Sequence, residues 1–292
     1  MRLPAGFQRR FAALSDHVVY SSGLYVDLRS QIHDLSSALV DFERAPRSDA
    51  DRRCRRVAEL LRPLEIDADL IRVGGPRDGA YVMADDFAAS AAVSVGVGHD
   101  VSWDIAVAAR GLPVHLFDPT VAGPPEPVAN ATFSPIGLGT PGQAVATGLP
   151  LKSLSELVAD CGFGLEDEVL LKIDIEGAEW EALDADPPGA RFRQVVLELH
   201  DLDQIRDDRA GERIVRVLER LHSTHAPVHL HGNNDAPFAH FDAYWFPTVV
   251  EASFVRRDGF SVGAAATDLR EDLDAPSNPR FRDVSLRGLL TL

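Results

Sequence analysis

Asp174 and Glu176 stand two residues apart where the apolar run Val169–Ile175 ends. On an extended chain, residues i and i+2 point to one side, so both carboxylates would leave one strand end together. Such a pair can hold a hard metal ion, position a cationic ligand or take up a proton. Capping of the following helix is the purely structural alternative. Lys172 shares their side, in a chain with 27 arginines and only one other lysine, Lys152. A buried ammonium needs a carboxylate partner, and Glu198 on the next strand would supply it. A lysine of lowered pKa acting as a base is the catalytic alternative.

Glu198 and His200 close the run that begins at Val195. His231 closes a later run and precedes Asn233 and Asn234. Imidazole titrates near neutral pH, so His200 and His231 both suit removal of a proton from an acceptor hydroxyl. The expected catalytic set is Asp174, His200 and Lys172, with Asp174 or His200 as the base. The expected acceptor-binding set is Glu176, His200, His231, Asn233 and Asn234. Asp174, Glu176, His200 and His231 are also hard-ligand types suited to Mg²⁺ or Mn²⁺. No tight spacing compels an ion, so none is assigned.

A second chemical feature lies upstream. The strand Ala91–Val97 runs into Gly96-Val97-Gly98-His99-Asp100 and then a helix. Glycines there let the backbone turn tightly and approach a ligand, and the helix start offers free N–H groups. Asp118 ends the next strand, twenty positions after Gly98, where a carboxylate can accept both ribose hydroxyls of an adenosine. A plain strand–turn–helix is the structural alternative. A dinucleotide fingerprint wants a third glycine three positions after Gly98, and Val101 stands there. That favours S-adenosylmethionine, which has no pyrophosphate, over NAD.

The elements that must position these residues alternate. Strands are expected at Ala91–Val97, Val114–Phe117, Ala131–Ile136, Val169–Ile175 and Val195–Leu199. Helices are expected at Val101–Arg110, Leu154–Cys161 and Gly211–His222. The pattern predicts an α/β fold with a mostly parallel sheet covered on both sides. Val228–His231 and Val249–Arg256 have no obvious helix between them, which predicts an antiparallel pair at one sheet edge. Residues 1–65 read as helical. Leu28, Ile32, Leu35, Leu39 and Phe42 share one face, Ser48 and Asp51 resemble an N-cap pair, and a second helix runs Asp51–Leu61 with Arg52, Arg53, Arg55 and Arg56 as its solvated face. This region, set apart from a domain at 66–292, would act as a lid, pair two subunits in a homodimer, or lie as a plain helical layer on the main core.

The chain carries 29 basic and 45 acidic residues, a net charge of −16. Nearly all the excess lies after residue 65, since residues 1–65 hold 11 basic and 9 acidic side chains. That balance excludes nucleic acid as the main partner and suits a cationic ligand. No membrane-length apolar stretch is present, the start has no signal-type apolar region, and two cysteines without metal spacing fit a reducing cytoplasm.

Lys172-Ile173-Asp174-Ile175-Glu176-Gly177-Ala178-Glu179 resembles the signature of the FkbM-type family of S-adenosylmethionine-dependent methyltransferases. So do Arg72-Val73-Gly74-Gly75-Pro76-Arg77-Asp78-Gly79-Ala80-Tyr81-Val82, Ser94-Val95-Gly96-Val97-Gly98-His99-Asp100 and Val114-His115-Leu116-Phe117-Asp118-Pro119-Thr120. The similarity covers roughly residues 66–257. It implies a class I methyltransferase fold, Rossmann-like, with seven strands of which the last is antiparallel. It also implies methyl transfer from S-adenosylmethionine, usually to an oxygen, on a small molecule such as a sugar or secondary metabolite. Carried over, Gly96 and Gly98 line the methionine part of the cofactor. Asp118, followed by Pro119, holds the ribose, Ile136 and Gly137 lie near the adenine, and Asp174 sits close to the sulfonium. Asp78, Gly79 and Tyr81 would fold over the cofactor. Many members of the class place an acid two residues before the first glycine, and this chain has Ser94. Asp78, Asp100 or Asp174 would then hold the amino group. A metal-dependent nucleotide-sugar glycosyltransferase and a non-catalytic cofactor binder are the rival readings.

Overall fold

The computed structural model describes residues 49–76, 79–140, 148, 150–164, 166–241 and 244–287. The helix predicted over Leu28–Phe42, the cap residue Ser48 and Asp78 lie outside them. Short apolar runs form the centre of the described part. The seven strands of the main sheet are β1 (Ala91–Val95), β2 (Val114–Phe117), β3 (Ala131–Ser134), β4 (Val169–Ile173), β5 (Phe192–Leu199), β6 (His225–Gly232) and β7 (Val250–Arg256). Their order across the sheet is β3-β2-β1-β4-β5-β7-β6. The five strands from β3 to β5 are parallel. β7 is antiparallel to both neighbours, between β5 and β6. The edge pair predicted from the tail is therefore present, with β6 outermost.

Five α-helices cover the sheet among the described residues: α1 (Asp49–Leu61), α2 (Ser102–Ala108), α3 (Leu154–Asp160), α4 (Glu179–Ala185) and α5 (Asp208–Thr224). Successive strand residues point to opposite faces, so each strand feeds two cores. One face of β1, β4 and β5 sends Val93, Val95, Leu171, Ile173, Val195 and Leu197 against Leu61, Leu157, Leu183 and Leu218. The other sends Ala92, Leu170 and Val196 toward Trp103 and Val107 of α2 and toward Val73, Tyr81 and Met83. Every residue of β1 and β4 is buried, which is what a doubly covered parallel sheet requires. Helix starts follow local rules: Ser153 and Glu156 form a capping box on α3, and Asp207 caps α5 through Ala210 N–H.

Two readings shift. α1 buries Cys54, Val57, Ala58, Leu60 and Leu61 in the main core and belongs to the compact unit Asp49–Leu292, although the sequence grouped it with the residues before 66. Arg53 is not on a solvated face: its guanidinium donates to Ile205 O at 3.0 Å and to Asp208 at 2.9 Å. Two hairpins were not foreseen. Leu70–Val73 pairs with Tyr81–Ala84, and Phe238–Phe241 pairs with Tyr244–Pro247. No described helix is long and apolar enough to cross a membrane.

Candidate functional site

The carboxyl ends of β1, β4 and β5 lie side by side, where open α/β sheets bind ligands. The turn after β1 is locked at its first glycine. Gly96 has φ of +85°, and a Cβ there would sit 1.6 Å from the Asp174 carbonyl oxygen. Two backbones therefore approach so closely that no side chain fits between them. Gly98, at φ of +52°, has nothing within 4 Å of the place a Cβ would occupy, so that side of the turn is open.

Asp118, at the end of β2, braces this turn. One carboxylate oxygen accepts from Val97 N–H (2.9 Å) and Gly98 N–H (3.0 Å); the other accepts from the Thr120 N–H (2.7 Å) and hydroxyl (2.6 Å). Burial pushes the carboxyl up, but these donors outweigh it and hold it below its ordinary value. All four acceptor positions are thus filled by the chain. A ribose would reach Asp118 only by displacing one of them. Pro119 packs against Gly137, and Ile136 is half-buried beside the same core. Asp100 accepts from Ser102 N–H at the start of α2 and lies against Gly79.

Lys172 has a different partner from the one expected. Its Nζ donates to Gly96 O at 2.8 Å and lies 5.9 Å above the Tyr81 ring. Its charge acts on Asp104 of α2, which is fully buried; burial raises the Asp104 carboxyl, and Lys172 opposes the rise. Ser94 on the adjacent strand, like Lys172, opposes that rise. Lys172 stands beside Ser94 on β1, on the face that α2 covers, and its ammonium bonds to the glycine turn. Lys172 is therefore walled in beneath the turn, and it pins the turn from below.

Asp174, Glu198 and His200 come together, each offering a ligand atom within 4.8 Å of the others. His200 is held from behind by Glu179, which is fully buried. One Glu179 oxygen accepts the His200 backbone N–H at 2.6 Å and lies 3.2 Å from Nδ1. Trp180 Nε1 donates to the His200 carbonyl at 2.7 Å. The other ring nitrogen, Nε2, is 3.5 Å from Glu176 and 4.0 Å from Glu198. Burial lowers the imidazole, but Glu179, Glu198 and Asp174 outweigh it and raise its pKa to about 9. Glu198 accepts from the Asn233 amide at 3.0 Å. Neither Asp174 nor Glu176 caps α4, whose N-cap is Ala178 without a side-chain bond; Glu179 accepts the Gly177 N–H instead. Glu176 sits at φ of +56° with an 89% exposed side chain.

Two predicted site residues are placed elsewhere. His231 lies between Glu251 (3.2 Å) and Asp283 (2.9 Å). Burial opposes its charge, yet the two carboxylates raise its pKa to about 10. Asn234 ties down the C-terminal segment by donating to Asn278 O (2.9 Å) and accepting from Asn278 N–H (2.7 Å). Both hold that segment against the sheet end. Sequence reasoning gave no role to Glu179, Asp104 or Glu251. Glu179 was visible within the quoted motif, but only its burial marks it as the support of His200. No family model and no curated protein sequence matches the chain.

Proposed function

We propose that the chain is an S-adenosylmethionine-dependent methyltransferase acting on a hydroxyl of a small molecule, as its resemblance to FkbM-type enzymes implies. The observation that carries this reading is the Gly96–Gly98 turn. It leaves the central strand, is braced by Asp118 and opens beside Asp174. The sheet adds support, because the last of its seven strands, β7, runs antiparallel to its neighbours, as the resemblance implies.

The residues present fit that donor. Gly98 leaves room for close approach, and the crevice holds Asp174 and Glu198, which suit a cation. Val101, buried where a dinucleotide site has its third glycine, leaves no gap for a pyrophosphate. Ser94 is also buried, on the α2 face, so the acid missing there is not replaced in the crevice by it. When bound, S-adenosylmethionine supplies an electrophilic methyl group on a sulfonium.

The chain's own residues supply the rest. Gly96 and Gly98 admit the donor to the backbone, and Asp118 with Lys172 keeps the turn rigid. Asp174 takes the proton of the acceptor hydroxyl. His200, whose carboxylate partners favour its charged form, orients Glu198 and the acceptor, and Asn233 fixes Glu198 from the far side. Alignment of donor and acceptor can supply about 7–11 kcal/mol of the barrier. Titration calorimetry with S-adenosylmethionine and S-adenosylhomocysteine tests the reading. Saturable binding followed by methyl transfer to a panel of hydroxylated acceptors is the expected result. Folded protein that binds neither compound would overturn it.

A further inference from the structure

We propose that Asp174, Glu198 and His200 form a binding site for one hard divalent cation of the Mn²⁺ type. The three come from the adjacent ends of β4 and β5, whose pairing is fixed through Ile173 and Leu197, so their spacing is set by the sheet. Two oxygens and one imidazole nitrogen, without a thiol, suit an ion that fills its remaining positions with water or hydroxyl oxygens.

Three further features point to a ligand. The first is the support of His200. A metal-binding histidine characteristically gives its other ring N–H to a carboxylate, and buried Glu179 occupies that position at Nδ1. This leaves Nε2 turned toward Glu176 and Glu198, 3.5 and 4.0 Å away. The second is the support of Glu198, whose side chain is over nine-tenths buried. Asn233 holds Oε1, and Oε2 faces Nε2 of His200. The third is charge. Glu198 stands directly opposite Glu251 in the β5–β7 register, and like charges so placed repel. Glu251 is paired with His231, and a cation bound at Glu198 would relieve that repulsion. Nε2 would bind the ion as a neutral imidazole nitrogen.

The site differs from the four residues the sequence brought forward. Glu198 enters and His231 is engaged elsewhere, while Glu176, 3.5 Å from Nε2 but largely exposed, stays outside the three-residue cluster. The proposal stands on these side chains and does not rest on methyl transfer.

The test uses full-length protein stripped with chelator and titrated with MnCl₂, read by electron paramagnetic resonance and calorimetry. One Mn²⁺ per chain is expected, with spin-echo modulation from a single imidazole nitrogen. Asp174→Asn and Glu198→Gln should each weaken binding at least about tenfold. Glu179→Gln, which supplies no ligand, should weaken it by roughly 10- to 100-fold, while Glu212→Gln should leave it unchanged. Absence of stoichiometric binding, absence of nitrogen coupling, or full affinity in folded Glu198→Gln would each overturn the proposal. If a variant fails to fold by circular dichroism, the stoichiometry and nitrogen coupling of the unaltered protein decide. S-adenosylmethionine binding is measured separately, so its failure would count against the methyl-transfer reading alone.

Discussion

Lys172→Met should be the most damaging single change that leaves the crevice residues in place. The ammonium makes a 2.8 Å bond to Gly96 O and answers the buried Asp104 carboxyl. Loss of a hydrogen bond to a charged group costs about 1.5–3 kcal/mol. Asp104 can take up a proton once Lys172 is gone, which limits any further loss, so the expected loss is about 2–3 kcal/mol. Asp104→Leu alone leaves Lys172 its Gly96 bond and should cost less. The double variant should be at least about 1 kcal/mol more stable than the sum of the single losses, as expected for directly coupled groups. Urea unfolding at pH 7 reads all three. The sign with pH also follows. In Lys172→Met the Asp104 carboxyl is raised further above its unfolded value near 3.8, so its protonated form favours the fold. The deficit should then be smallest at low pH and grow as pH rises. Strict additivity, or a Lys172→Met loss under about 1 kcal/mol, would refute the idea that the two groups share one buried environment.

Gly96→Ala would force a Cβ to within 1.6 Å of the Asp174 carbonyl, so a loss well above the 1–2 kcal/mol or so of left-handed strain is expected in thermal melts, together with loss of cofactor binding. Gly98→Ala, which meets nothing within 4 Å, should cost only that strain, roughly 1–2 kcal/mol. Asp118→Asn would turn an amide toward the N–H groups of the turn and Thr120; about 1–3 kcal/mol of stability should be lost in chemical unfolding even without cofactor. For His231, the folded pKa of about 10 exceeds the ordinary 6.5. Its stabilisation of the C-terminal segment is therefore complete below pH 6.5 and lost as pH rises toward 10. Asp283, held below its usual value by His231 after burial has raised it, adds stability that is lost on acidification through the carboxylate range. Limited proteolysis of residues 274–287 across pH should show cleavage increasing at both extremes, and His231→Gln should abolish the alkaline limb.

The main architecture was legible because it rests on local pattern. Runs such as Val169–Ile173 are apolar on both faces, which only a doubly covered strand satisfies, and Gly162 and Gly111 end helices as glycines do. The hairpin Leu70–Val73 with Tyr81–Ala84 was not legible, since its strands are four residues each and carry little periodicity. α1 shows the same limit: its apolar face was clear, but periodicity cannot say which core that face meets.

The candidate site divides along the same line. Asp174, Glu198 and His200 each lie at the end of an apolar run, so the sequence alone placed them at one edge of the sheet. Which of them share a ligand depends on register, because the alignment of β4 with β5 brings these three within 4.8 Å. His231, on a strand end of the same kind, is claimed by Glu251 and by Asp283 from 52 residues away. Lys172 was visible as an unusual cation in a buried strand, but its partner was decided by the helix packed on that face. Residue type and spacing thus determined which ionisable groups the chain carries at that end of the sheet. Only tertiary packing decided which charges meet, because a buried charge is answered by whatever group the neighbouring elements bring within a few ångströms, and that distance is not written in the local sequence.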